Sequence, residues 1–130
     1  MVTFDTNVLV RLLVVDDTDQ CNRAERAWRE AIELDGVYLP LVVVVELVWV
    51  LRVGYKFQRP TIVENLRRLL GSQGVTVERE PIVLAALDQY ESGSADLSDY
   101  VILESARRGH ALPVRTFDER FARSDLVELL

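Results

Sequence analysis

Four acidic side chains, each at the end of or inside an apolar segment, are the residues of this chain best suited to chemistry. They are Asp5, Glu46, Asp99 and Asp118. Asp5 and Asp118 each close a short β-type stretch, and open α/β sheets place their ligand sites beyond the carboxyl ends of their strands. Glu46 and Asp99 lie on predicted helices that would flank those strands. We therefore expect the four carboxylates to meet and to hold a divalent cation.

The chemical types of the available ligands indicate which cation the site would bind. Crowded carboxylates repel each other, and the pKa of at least one would rise unless a cation neutralised them. The chain has no cysteine or histidine cluster: Cys21 lies among polar residues of a predicted helix, and His110 follows Gly109 in a predicted loop. Ligands that are all oxygen favour Mg²⁺ or Mn²⁺ over zinc. The predicted cofactor is therefore Mg²⁺ or Mn²⁺.

Each acid also has a purely structural interpretation. Asp5 and Asp118 could cap the helical turns that follow them, although Thr6 would cap equally well and leave the Asp5 carboxylate available. Glu46 has no lysine or arginine three or four residues away. A buried Glu46 would therefore be neutral, paired with a distant arginine, or bound to a metal. Exposure of Glu46 is disfavoured because Trp49 continues the apolar run.

Two further acids stand three residues apart at the predicted start of one helix. Asp96 and Asp99 have the spacing of a capping box, and we assign Asp96 mainly to capping. Asp99 falls within the first turn, where the helix dipole favours an anion and where its side chain can project toward the sheet edge.

Length and composition predict one domain. The 130 residues are 49% apolar and 28% charged, ordinary values for a globular chain with one core. A net charge of −6 argues against a broad electrostatic nucleic-acid footprint, so such contact would need a local basic strip or a metal. A single cysteine fits a reducing, cytoplasmic compartment. No signal peptide is visible, and the most apolar stretch, 37–51, is too short to cross a membrane.

Hydrophobic periodicity and turn residues predict strands alternating with helices. We predict strands at 2–4, 37–39, 75–77, 113–116 and 127–130, and helices at 8–13, 19–34, 41–52, 60–70, 81–90 and 96–108, with a short turn at 119–122. Segment 41–52 contains a run of β-branched valines, but Pro40 and its length favour a buried helix. The alternation predicts a three-layer α/β/α sandwich with a mostly parallel four- to five-stranded sheet.

Four short motifs, in this order and at this spacing, resemble those of the PIN-domain nucleases: Asp5-Thr6-Asn7, Val45-Glu46-Leu47, Leu97-Ser98-Asp99 and Thr116-Phe117-Asp118. The length resembles that of their VapC toxin branch. The resemblance covers residues 1–130 as a single PIN-like domain. One departure is Tyr100, where the family usually has alanine, and this predicts a bulkier entrance to the site.

The resemblance implies a Mg²⁺- or Mn²⁺-dependent endoribonuclease, the toxin of a type II toxin–antitoxin pair. It also implies a homodimer that a VapB-type antitoxin inhibits. The catalytic and metal-binding residues would be the acidic quartet of Asp5, Glu46, Asp99 and Asp118, with Thr6, Asn7, Asp96 and Thr116 in support.

The chemistry implied is metal-assisted hydrolysis, in which the cation lowers the pKa of a bound water and neutralises charge on the scissile phosphate. One carboxylate would accept the proton of the attacking water. Local cations would guide the RNA, and the candidates are Arg11, Lys56, Arg59, Arg115 and Arg120. The plainer interpretation of each is an ordinary solvated charge.

Two other functions stay open from the sequence. An aspartyl phosphotransferase or phosphatase would use Asp5 as its nucleophile, although Asn7 stands where such sites usually carry a second acid. A non-catalytic module would keep the acids for structural reasons and bind a protein partner in an apolar groove. The candidate groove residues are Trp28, Ile32, Trp49 and Leu51.

Overall fold

Short parallel strands alternate with helices from one end of the chain to the other. The computed structural model describes residues 1–130 and divides them into two compact units, Met1–Glu80 and Pro81–Leu130. The α/β class and the parallel strands expected from the sequence are confirmed. The expectation of a single domain over 1–130 stays a prediction. None of the helices is both long enough and apolar enough to span a membrane.

The first unit contains three strands and four α-helices. Its elements are β1 (Val2–Thr3), α1 (Thr6–Leu13), α2 (Thr18–Leu34), β2 (Val37–Leu39), α3 (Leu41–Trp49) followed by a π-helical turn (Val50–Gly54), α4 (Arg59–Leu70) and β3 (Val75–Val77). The strands form a parallel sheet in the order β1-β2-β3, with Val37 opposite both Val2 and Val75. Helix α4 buries the apolar face that its periodicity predicted, including Ile62 and Leu66.

The second unit contains two helices and two strands. Its elements are α5 (Glu80–Ser92), which begins at the unit boundary, α6 (Leu97–Arg108), β4 (Val114–Thr116), a 3-10 turn (Phe121–Arg123) and β5 (Val127–Leu129). Strands β4 and β5 form a separate parallel pair, with Val114 opposite Val127. The five strands therefore divide into two sheets instead of forming one. Alternation along the chain indicates parallel strands but does not determine which of them share hydrogen bonds.

Helix α3 is not the buried helix that the sequence predicted. Val42 and Trp49 are 68% and 59% exposed, whereas Val44, Leu47 and Val48 on the opposite side are buried. Beyond Trp49 the backbone widens into the π-helical turn, in which Tyr55 N–H donates to the Val50 carbonyl. Pro40 and the length of segment 41–52 predicted the helix, but they could not determine how many of its faces pack against neighbours.

Candidate active site

Asp5 lies two residues after β1 and is the N-cap of α1. Its Oδ1 accepts a hydrogen bond from Val8 N–H at 3.2 Å, and the carboxylate is exposed. Of the two caps considered from the sequence, Asp5 is the one observed, because Thr6 is already the first helical residue and is buried. Asn7 is exposed in the first turn. Asp5 therefore caps through one oxygen, and its Oδ2 lies outside that bond.

Glu46 is an exposed side chain of α3, so the expectation that it would be a buried carboxylate is wrong. Helix α3 begins at Pro40, whose side chain cannot accept a hydrogen bond. The carboxylate of Glu78, which follows β3, instead accepts from Leu41 N–H at 2.8 Å. This long-range cap was not predicted, because only the position of Glu78 directly after an apolar strand could have indicated it.

The second unit does contain a buried carboxylate, but it belongs to Glu104 on α6. Glu104 is 7% exposed and accepts a hydrogen bond from Gln89 Nε2 at 2.7 Å. Arg107 Nε lies 3.5 Å from the same oxygen. These partners satisfy the buried charge, so Glu104 has a structural role. In the sequence, the signal for this ion pair is Arg107, which stands three residues after Glu104.

Asp96 and Asp99 form the expected capping box at the start of α6, with Asp96 as the N-cap. Asp99 Oδ2 accepts from Asp96 N–H at 3.0 Å. Partial burial, together with the nearby charges of Asp96 and Asp118, raises the pKa of Asp99. The charge of Asp118 therefore acts on the Asp99 carboxylate within the second unit.

Asp118 follows β4, and both its side chain and its backbone N–H make local hydrogen bonds. Its Oδ1 accepts from Arg120 N–H at 2.8 Å and from Phe121 N–H at 3.3 Å, which is the capping arrangement considered from the sequence. Its own N–H donates to Thr116 Oγ1 at 3.0 Å. Thr116 therefore supports the backbone of Asp118 by hydrogen bonding, and the Oδ2 atom lies outside the capping bonds.

Tyr100 does not form a bulky entrance, as its position after Asp99 suggested, because it is 3% exposed and lies in the core of the second unit. Its hydroxyl accepts from Ala95 N–H at 3.2 Å, and its ring meets Phe121 edge to face at 6.3 Å between centroids. Gly93 leaves room for the Tyr100 side chain. A Cβ at position 93 would lie 1.9 Å from the Tyr100 hydroxyl and 2.7 Å from the Gln89 carbonyl oxygen.

The substitution Gly93→Ala is therefore expected to lower the free energy of unfolding by about 1–3 kcal/mol, the usual cost of overpacking a core. The denaturant midpoint would fall at an unchanged m-value. Gly54→Ala is the matched control, since its Cβ would meet only a Val50 side-chain carbon at 3.8 Å. Equal midpoints for the two variants would show that Tyr100 moves aside without cost.

The five candidate RNA-binding cations have different surroundings. Arg11 is engaged within the first unit: Nε donates to Gln20 Oε1 at 2.7 Å and Nη1 to Asp16 Oδ1 at 2.5 Å. Tyr55 OH donates to Asp16 Oδ2 at 2.8 Å. The Tyr55 hydrogen bond, assisted by the charge of Arg11, lowers the pKa of Asp16. Arg11 would have to exchange these contacts for RNA, so its role stays a prediction.

The other four cations lie on segments that follow α3 or flank Asp118. Lys56 is exposed with a positive φ of 58°, and Arg59 begins α4. Arg115 Nε lies 3.4 Å from Glu128 Oε2, with both side chains exposed. Arg120 is exposed, and its carbonyl accepts from Ser94 Oγ at 3.4 Å. Their roles in RNA binding also stay predictions.

The structure contains no group of three or more histidine, cysteine, aspartate or glutamate side chains arranged to hold a metal ion. Convergence of the four predicted acids therefore stays a prediction. The donor set still fits Mg²⁺ or Mn²⁺, because the candidates are all carboxylates and Asp99 has two acidic neighbours. Residues that could hold a metal are thus present, two in each unit.

Comparison with known proteins identifies the family of this chain. The family model of the PIN domain matches residues 2–126, a range that contains all four candidate ligands. A relative described as VapC ribonuclease, from Aquifex aeolicus (strain VF5), is 26% identical over 124 residues, which are 95% of this chain and 91% of the relative. Because the family model extends over nearly the whole α/β chain, this protein belongs to the PIN domain family.

Proposed function

We propose that this protein is a VapC-type endoribonuclease toxin that hydrolyses RNA phosphodiester bonds with Mg²⁺ or Mn²⁺. The observation that carries the proposal is the match to a VapC ribonuclease over 95% of the chain, together with membership of the PIN domain family. A metal-dependent nuclease also needs oxygen ligands, and the chain offers carboxylates after two strands and near the start of α6.

The proposed metal ligands and catalytic residues are the acidic quartet of Asp5, Glu46, Asp99 and Asp118. When bound, the cation would supply an activated water and charge neutralisation at the scissile phosphate. Asp5 and Asp118 suit this role because each uses Oδ1 for capping and keeps Oδ2 outside those bonds. Fixed capping bonds also orient each carboxylate in advance, which reduces the cost of ordering it around a ligand.

The supporting residues would act by fixing the backbone and the side chains of the acids. Thr116 accepts the Asp118 N–H, Asp96 positions Asp99 through the capping box, and Thr6 starts the helix that Asp5 caps. Asn7, exposed in the same first turn, would donate a hydrogen bond to RNA or to a neighbouring carboxylate. One quartet carboxylate would accept the proton of the attacking water.

The proposed partners are those of VapC-type toxins: an RNA substrate, a cognate VapB-type antitoxin and a second copy of the chain in a homodimer. The proposed compartment is the cytoplasm. RNA would be guided by Arg11, Lys56, Arg59, Arg115 and Arg120 in spite of the net charge of −6. A small neighbouring gene that encodes a DNA-binding antitoxin would support the toxin assignment independently of any enzyme assay.

The test is RNA cleavage by the purified chain under defined metal conditions. We expect cleavage of single-stranded RNA in millimolar Mg²⁺ or Mn²⁺, loss of cleavage in EDTA and recovery when Mn²⁺ is added in excess. Cleavage that EDTA does not change would contradict the metal-dependent mechanism. Absence of cleavage with tight antitoxin binding would indicate the non-catalytic module, and a phosphoryl group trapped on Asp5 would indicate the phosphotransferase.

A further inference from the structure

Phe117 is the one aromatic side chain of the second unit that the fold leaves in solvent. It is 82% exposed, whereas Tyr90, Tyr100 and Phe121 are each 3% exposed or less. A phenylalanine ring gains roughly 1.5–3 kcal/mol when it is buried, so the fold forgoes this stabilisation at Phe117. An exposed aromatic ring beside a candidate catalytic acid suggests a contact with a ligand.

The backbone on both sides of Phe117 is fixed, so the ring is presented from a rigid support. Before it, the Thr116 carbonyl accepts from Leu130 N–H at 2.8 Å, and Thr116 Oγ1 accepts from Asp118 N–H at 3.0 Å. After it, Asp118 Oδ1 accepts hydrogen bonds from the backbone N–H groups of Arg120 and Phe121. Because the backbone is already ordered, stacking of a flat ligand on the ring would cost only the freedom of the side chain itself.

Exposed arginines accompany the ring in the sequence. Arg115, Arg120 and Arg123 lie on the same segment of nine residues, together with Asp118 and Glu119, and Arg115 also lies 3.4 Å from Glu128 Oε2. An aromatic ring accompanied by arginine side chains is the combination with which proteins bind single-stranded RNA, because bases stack on the ring while the cations contact phosphates.

We propose that Phe117 stacks on a base of the RNA substrate, on the nucleotide whose phosphate lies at Asp118. Phe117 is thus a substrate-binding residue that sets the register of the strand over the acids. This inference rests on the proposed ribonuclease function and adds to it a residue outside the acidic quartet and its supporting residues. Because every base has a stackable face, Phe117 would contribute affinity with little sequence preference.

The test compares three substitutions of the ring in steady-state cleavage of a short single-stranded RNA. We expect Phe117→Ala to raise KM by roughly 5- to 150-fold, the range measured when stacking aromatics are truncated, with a smaller change in kcat. Phe117→Trp should restore wild-type KM, whereas Phe117→Leu should not, because leucine is apolar but has no π-face. Leu84→Ala, which truncates another exposed apolar side chain of the same unit, is the control and should leave KM unchanged.

A binding readout separates this inference from the ribonuclease assignment. In the non-cleaving Asp5→Asn background, Phe117→Trp should show tryptophan emission that is quenched when RNA is added, relative to Asp5→Asn alone. Quenching without cleavage by the wild-type protein would support stacking and contradict the proposed function. Cleavage by the wild type with the same KM for Phe117→Ala would overturn the role of Phe117 and leave the ribonuclease intact. A Phe117→Ala variant that changes only self-association in light scattering would assign the ring to a protein contact instead.

Discussion

RNA cleavage is expected to fall by at least about a hundredfold when Asp5 is replaced by Asn, a loss typical of removing one electrostatic group from an active site. The substitution separates the helix-capping role of Asp5 from its proposed role as a metal ligand. Asparagine caps a helix about as well as aspartate, and its oxygen can still accept the Val8 N–H. The capped α1 is therefore retained while the negative charge, which a divalent cation requires, is lost.

The matched control is Asp17→Asn at the start of α2. Asp17 is also an N-cap, whose Oδ1 accepts from Gln20 N–H at 3.0 Å, and it is not one of the proposed ligands. Both variants should have the circular dichroism spectrum and denaturant midpoint of the wild type, and only Asp5→Asn should lose cleavage of a defined RNA. Wild-type cleavage by Asp5→Asn, after contaminating nuclease has been removed, would end the assignment of Asp5 as a metal ligand.

Local features of the fold could be predicted from the sequence because they depend on residues close together in the chain. Strands β2 and β3 have the predicted bounds, since each is a short apolar run between turn residues. The capping box of Asp96 and Asp99 follows from their spacing alone. The Asp5 cap was harder to assign, because Thr6 has an equally suitable side chain and only the backbone position of the helix start distinguishes the two residues.

Features that depend on distant packing could not be predicted. The apolar run around Glu46 indicated burial, but a helix has several faces, and the face of Glu46 and Trp49 is exposed. Conversely, burial of Glu104 on α6 was not predicted, and Gln89 from α5 completes its buried site. The Glu78 cap on α3 joins residues 37 positions apart. For Glu104 and Glu78 the deciding partner lies on another element of the same unit.

One part of the candidate site could be predicted from the sequence, namely the carboxylates that cap the ends of helices and turns. Asp5, Asp99 and Asp118 each carry a local hydrogen bond from backbone N–H, as their positions suggested. The exposed ring of Phe117 was not singled out, because a phenylalanine between a strand and an acid is compatible with either a core or a surface position. Convergence of the quartet remains to be tested by metal binding.

A rise in melting temperature is expected when Mn²⁺ or Mg²⁺ is added to the wild-type chain. A ligand that binds only the native state at a hundredfold excess over its dissociation constant stabilises it by about 2.7 kcal/mol. For a chain of this length, that corresponds to an upward shift of about ten degrees. The shift should grow with the logarithm of metal concentration once the site is saturated, and differential scanning calorimetry would measure it.

The Asp99→Asn variant tests whether the cation binds at the acids. Asparagine keeps an oxygen that can accept the Asp96 N–H, so the capping box is retained while one ligand charge is lost. Without metal the variant should be at least as stable as the wild type, because it removes charge repulsion with Asp96 and Asp118. With metal it should lose most of the shift in melting temperature, whereas Asp125→Asn, an exposed acid of the same unit, should keep it. Equal shifts in all three proteins would place the cation elsewhere on the chain, and a wild-type melting temperature unchanged at millimolar metal would argue against a native metal site.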